Sequence, residues 1–177
     1  MYGNLARSTA SLIKMILVVV IFGLFIYLFT IAFVAQDFFW FEKGFAEKPV
    51  RVIVYHQGQR TEYRSGQAGY ELLANAIQQS LNSGLVRQSG IGLGEQTLYD
   101  AKTKYITVEA YFLQPVKLHA NFNTGHPTQM IFPITGRHSE LSVVFLGDQG
   151  GYWVNGPVLR DMQPIRDALV QLNIPLE

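Results

Sequence analysis

Residues 15–36, MILVVVIFGLFIYLFTIAFVAQ, carry no charged side chain, and this run constrains everything else the chain can do. As a helix rising about 1.5 Å per residue it extends about 33 Å, enough to cross a hydrocarbon core of about 30 Å. A buried core helix seldom stays apolar on every side for so long. A cleaved signal peptide has a shorter apolar region, of about 7–15 residues, with small residues before the cut. Here a cut after Ala35 would find bulky Phe33 where a small side chain is needed. The expectation is one uncleaved span acting as a signal anchor, with the lipid bilayer as the first partner.

The flanks divide the chain into four regions. A short basic leader, 1–14, contains Arg7 and no acid, and Lys14 can reach back to the headgroups on its aliphatic stem. The transmembrane helix, 15–36, is followed by a juxtamembrane aromatic segment and polar linker, 37–48. In it Phe38, Phe39, Trp40 and Phe41 fall at the depth where aromatic side chains settle in the membrane interface. Lys43, Lys48 and Arg51 on this side are mixed with Asp37, Glu42 and Glu47, so counts of Lys and Arg do not decide orientation. A short leader before a long C-terminal domain favours a cytoplasmic N-terminus and an extracytoplasmic domain, in a single-pass cell-membrane protein.

Residues 49–177 are the size of one domain. Residues 50–56 and 60–64, separated by Gln57-Gly58, predict a hairpin. A helix is expected from a Ser65 cap to about Leu81, with Leu73, Ala76, Ile77, Ser80 and Leu81 at helical spacing and Gly84 as the stop. Gly90-Ile91-Gly92-Leu93-Gly94 lacks the strand, spacing and helix of a nucleotide loop and reads as a flexible connection, with a short strand at 96–99 and a turn at 100–103. The clearest period-2 pattern runs through 105–112 and 116–123, and predicts a hairpin joined at Leu113-Gln114-Pro115. In that register Ala110 opposes Leu118 on a buried face, while Glu109 opposes His119 and Tyr111 opposes Lys117 on a polar one. Further strands are expected at 128–134, 140–146 and 152–155, and a closing helix from Asp161 to about Asn173. The predicted fold is α+β: an N-terminal single transmembrane helix, then one mainly antiparallel β-sheet domain with two covering helices. The other sheet face is expected to be open, displaying Tyr105 and Tyr111 to a partner.

No catalytic signature appears. Fourteen Lys and Arg stand against thirteen Asp and Glu, scattered, which leaves no footprint for nucleic acid. Without cysteine there are no disulfides, thiolate metal sites or cysteine nucleophiles. Of the four histidines, His119 and His126 with Glu109 make the best metal constellation, since two imidazoles and a carboxylate can ligate zinc. The ordinary reading, an exposed cross-strand pair beside a turn histidine, is preferred, so no metal or other cofactor is expected. Arg137 and His138, in the most polar compact turn, can hold an anion or contact a partner, although an exposed arginine more often makes surface ion pairs. In the apolar run Gly23, Tyr27 and Thr30 share one helix face, where a small residue and two hydroxyls suit contact with another helix.

The topology matches generic α+β extracytoplasmic modules, and fold analogy does not supply function. The leading expectation is a non-enzymatic accessory or scaffold protein whose domain binds a membrane or extracytoplasmic protein, as a subunit of a membrane complex. The alternative is a membrane-tethered small-ligand-binding or metal-dependent hydrolytic domain.

Overall fold

The computed structural model describes residues 3–42 and 44–176. Lys43, one of the cations in the charge comparison, lies outside the described residues, as do Met1, Tyr2, Glu177 and the side chain of Arg7. The chain runs α1 (Gly3–Ala35), β1 (Arg51–His56), β2 (Gln59–Arg64), α2 (Tyr70–Asn82), β3 (Leu85–Gln88), α3 (Glu95–Thr103) and β4 (Ile106–Tyr111). It continues through β5 (Gln129–Pro133), a 3-10 turn (Ser139–Leu141), β6 (Phe145–Asp148), β7 (Gly151–Tyr152), β8 (Pro157–Leu159) and α4 (Gln163–Gln171).

α1 is continuous from Gly3, and its segment Ser11–Ala35, 25 residues, is long and apolar enough to cross a membrane. Every side chain from Ser11 to Thr30 is exposed, and burial begins only at Ala32 and Ala35, where the helix meets the domain. The end of α1 is a Schellman motif: Gln36 takes a left-handed φ of 53°, its N–H donates to Phe33 O, and the Asp37 N–H donates to Ala32 O. Glycine normally fills that position, so a glutamine there points to a role for its side chain.

The main sheet has six antiparallel strands in the order β2-β1-β4-β5-β6-β7. The β1–β2 turn is Gln57-Gly58, both at positive φ, the twist that suits a two-residue hairpin loop. Alternation along β1, β4 and β5 puts Val52, Val54, Val108, Ala110, Met130 and Phe132 on one face. Against it pack Leu73, Ile77 and Leu81 of α2 and Ile165 and Leu169 of α4, forming the main core. An antiparallel sheet with two helices on one face is thus present.

The second face is covered as well, contrary to expectation. Ile131, Val143 and Phe145 are fully buried there beneath Ile91, Leu93 and Leu98, and Ala101 is buried on α3. Tyr105 and Tyr111 are half-buried, not displayed: the Tyr105 ring packs against Gly136, and the Arg51 guanidinium lies 4.0 Å from the centre of the Tyr111 ring. The cover is α3, where a short strand and a turn were expected. It is one short helix burying little apolar surface, so no helical stripe marks it; its signals are Glu95 in the first turn and Lys102 in the last, each favourable with the helix dipole.

The predicted 105–112/116–123 hairpin does not form. β4 pairs with β1 on one side and β5 on the other, and residues 112–128 make a long connection between β4 and β5. Val116, Leu118 and Ala120 are buried as the alternation requires, but the segment lies extended against the core with no strand beside it. A period of two reports an extended backbone with one apolar face, and that face can be satisfied by packing alone. Other boundaries shift too. α2 starts at Tyr70 because Gly66 and Gly69 take positive φ in the preceding turn; residues 85–88 form β3 and pair with β8; and residues 139–141 are a 3-10 turn before β6.

The segment expected as a linker is fastened to the domain. Phe45 is buried with its ring edge-on to Phe112, centroids 5.7 Å apart. Its N–H donates to Asn82 Oδ1, Gln78 Nε2 donates to Ala46 O at 2.8 Å, and Lys48 pairs with Glu71. Phe45→Ala should therefore destabilise the domain by about 3 kcal/mol, as for other buried phenylalanines. Urea unfolding of the full chain in detergent tests this, with exposed Phe41→Ala expected within about 0.5 kcal/mol of the parent protein.

Candidate functional site

Two buried carboxylates organise the polar chemistry of the described residues, one in the sheet and one at the end of α1.

Glu109 sits at the middle of β4, 1% exposed. It faces away from the main core, opposite Ile53 on β1 and Ile131 on β5. Lys102 Nζ of α3 donates to Oε1 at 2.8 Å, Tyr55 Oη of β1 donates to Oε2 at 2.9 Å, and the Tyr152 hydroxyl of β7 donates to Oε1. Burial pushes the Glu109 carboxyl up, but the hydrogen bonds and the charge of Lys102 outweigh it and hold the group below its ordinary value of 4.5. Burial, with the Glu109 charge, raises the surrounding phenols: Tyr55 to about 12, and Tyr111 and Tyr152 upward as well. The phenols stay protonated and the carboxylate stays charged, with both oxygens occupied. This is a lock between α3, β1 and β7, with no access for a substrate.

The second carboxylate is Asp37, directly after α1 and 4% exposed. Its Oδ1 accepts from the Phe39 N–H at 2.9 Å and lies 3.0 Å from Lys117 Nζ, while Oδ2 lies 2.7 Å from His119 Nδ1. Next to it Asn123 Nδ2 donates to Gln36 Oε1 at 3.0 Å, which gives the side chain at the left-handed position its role. Burial raises the Asp37 carboxyl, and the donors from Phe39, His119 and Lys117 more than reverse that, leaving it below its ordinary 3.8. Lys117, His119 and Asn123 all belong to the 112–128 connection, longer than the about 12–15 residues beyond which structureless loops are mostly functional. That connection clamps the end of the apolar helix.

His119 is therefore committed to Asp37 and not to Glu109. The cross-strand pairing expected of them fails because residues 116–123 do not pair with β4. His126 is exposed in the same connection, and no group of three metal-ligating side chains occurs among the described residues. In the polar turn Arg137 is exposed, while the His138 ring packs on Phe145 at 5.9 Å, and burial, with the neighbouring Arg137 charge, lowers its pKa. Gly23 and Tyr27 are exposed on α1, and Thr30 Oγ1 donates to its own helix at Ile26 O. Lys14, Phe38, Phe39 and Phe41 are exposed and Trp40 is half-buried; Phe38 turns back along α1 to Phe29, centroids 6.4 Å apart. An acid embedded between an apolar run and an aromatic cluster was the one sequence signal for Asp37. Nothing in the sequence pointed to its partners.

The fold and this junction define an α+β domain clamped to the end of a long apolar helix. Comparison of the chain with protein-family models, curated proteins and solved structures gave no match.

Lys102→Met should cost about 3 kcal/mol, the low end for breaking a buried pair, because the Lys102 side chain keeps 28% exposure. Glu109 is lowered in the folded state, so its contribution is complete above pH 4.5 and is lost as pH falls through the folded value. Without Lys102 the folded value rises toward 4.5 or past it, so the stability lost on going from pH 7 to 3 should shrink, which unfolding curves measured across that range will show. Asp37→Asn should cost about 1–3 kcal/mol at neutral pH. As pH drops below 3.8 the parent protein protonates Asp37, and the difference between the two should vanish.

Proposed function

We propose that this protein is a single-pass membrane-anchored accessory or scaffold protein, with its N-terminus in the cytoplasm and its α+β domain outside, that binds a protein partner as a subunit of a membrane complex. The observation that carries this reading is the junction. The apolar helix is bare from Ser11 to Thr30, and among the described residues the domain grips it at its end, through Ala32, Ala35, Gln36 and Asp37. A helix bare of protein over that length suits lipid and the helices of other chains. The grip holds the domain against the headgroups in a defined orientation, as a scaffold requires. Gly23, Tyr27 and Thr30 are the proposed helix contact, and Arg137 the proposed contact for a partner or anion on the domain.

Detergent extraction followed by native purification should yield stoichiometric co-purifying subunits, and Gly23→Leu should reduce them several-fold while the domain stays folded. A monomer carrying zinc by elemental analysis would refute this reading in favour of a metal-dependent tethered domain. An extracytoplasmic-only reporter fused after Glu177 should be active, and its silence would reverse the orientation.

A further inference from the structure

Residues 88–94, 120–129 and 149–159 are three of the domain's several stretches without a formally charged side chain. In a chain that is 15% charged, three such stretches would be unremarked if they lay apart. They lie together. The Ser89 N–H donates to Gly156 O at 3.0 Å, and the Gly156 N–H donates to Ile91 O at 3.2 Å. A Cβ at Gly92 would stand 3.2 Å from Val154 Cγ1, and one at Gly125 would stand 2.6 Å from Trp153 Cζ3. The indole thus rests directly on the glycine of the 112–128 connection, beside a shallow groove of about 430 Å³ shared by Phe122, Trp153 and Val154.

This uncharged surface is continuous with the end of α1. Asn123 bonds Gln36 on one side and, through Oδ1, the Gly125 N–H at 2.8 Å on the other. One chain of contacts thus leads from the helix end through Asn123 and Gly125 to Trp153. On that surface Val154 is 75% exposed and Trp153 38%, and at the helix end Phe38 is 69% and Phe39 55% exposed. Placing a tryptophan and an aliphatic side chain at a loop tip, with no charge to desolvate, is what the headgroup boundary of a bilayer favours.

We infer that the β7–β8 loop, at Trp153 and Val154, is a second membrane contact that dips into the headgroup region beside the anchor and fixes the domain on the bilayer surface at two points. This rests on the reading of α1 as a membrane span. The occupant is lipid because the surface adjoins the end of the apolar helix and sets an indole beside an exposed aliphatic side chain at a loop tip, the pairing of side chains that the headgroup boundary favours. Contact with zwitterionic lipid is expected to suffice, since the three stretches carry no Lys or Arg for anionic headgroups to attract, and Arg87, whose Nη1 donates to Gln88 O at 3.2 Å, stands at their margin.

The chain has no cysteine, so single labels can be placed without background. The full chain is reconstituted in phosphatidylcholine vesicles with a nitroxide on Val154→Cys, on Phe33→Cys of α1, or on Val170→Cys of α4. All three positions are exposed, so these substitutions remove no buried side chain. Relaxation by oxygen, which partitions into lipid, is compared with relaxation by an aqueous nickel chelate. The inference expects Val154 to resemble Phe33, with oxygen dominant, and Val170 to remain accessible to nickel. If Phe33 is in lipid and Val154 is as accessible to nickel as Val170, the second contact is wrong and the anchor stands. If Phe33 and Val154 both face water, the anchor and the second contact fall together. A Val154 label shielded from both agents would mean that protein covers the loop, which also overturns the inference. As a check on the native side chain, Trp153 emission in a Trp40→Phe background should be quenched by brominated phosphatidylcholine and protected from aqueous iodide.

Discussion

A carboxylate placed at the end of an apolar helix has to be paired or left in water, and Asp37 is paired. The domain is arranged around that requirement. Of its three donors, only the Phe39 N–H is local; Lys117 and His119 come from a connection that leaves the sheet at Tyr111 and returns at Gln129. To deliver them, residues 112–128 cross the end of α1, bury Val116 and Leu118 in the main core, and bring Asn123 to Gln36. The helix end cannot rotate against the domain without stripping a buried charge of its partners. Orientation of the domain is therefore built into the chain.

Glu109 plays the corresponding part inside the sheet. β4 is central and covered on both faces, so a glutamate in it must find donors within the fold. They come from a helix, a neighbouring strand and the strand at the far edge, and so Lys102 and Tyr152 tie α3 and β7, which bury few apolar side chains, to the well-packed β4 and β1. α3 in particular buries only Ala101 fully and is held as much by Lys102 on Glu109, and by the Thr107 hydroxyl on Ala101 O, as by packing. Both polar centres thus fasten weakly packed parts to strongly packed ones. One secures the cover of the second sheet face, the other the apolar helix.

Legibility of these features in the sequence followed the range of the interaction. The apolar run, the β1–β2 hairpin with its Gln57-Gly58 turn, and the apolar stripe of α2 rest on neighbours within a few residues, and each is recovered in the structure. β4 was recognisable from its alternation, but not its partners: Val108 faces Val54 and Phe132, not a residue of the following segment. The Glu109–His119 pair was inferred from local hairpin geometry, and a long-range strand insertion separated it. α3 escaped because Lys102 and Ala101 secure it through polar contacts, which leave no hydrophobic period.

The sequence by itself determined that a long uncharged apolar helix precedes an α+β domain, because backbone length, side-chain polarity and turn chemistry are properties of short segments. Tertiary structure alone decided that β1 lies between β2 and β4, that Asp37 meets Lys117 and His119, and that three uncharged stretches far apart in the chain form one surface beside the helix end. The reason is that strand order and charge pairing are settled by competition among distant segments for the same edge or the same donor. No local pattern records which of them wins.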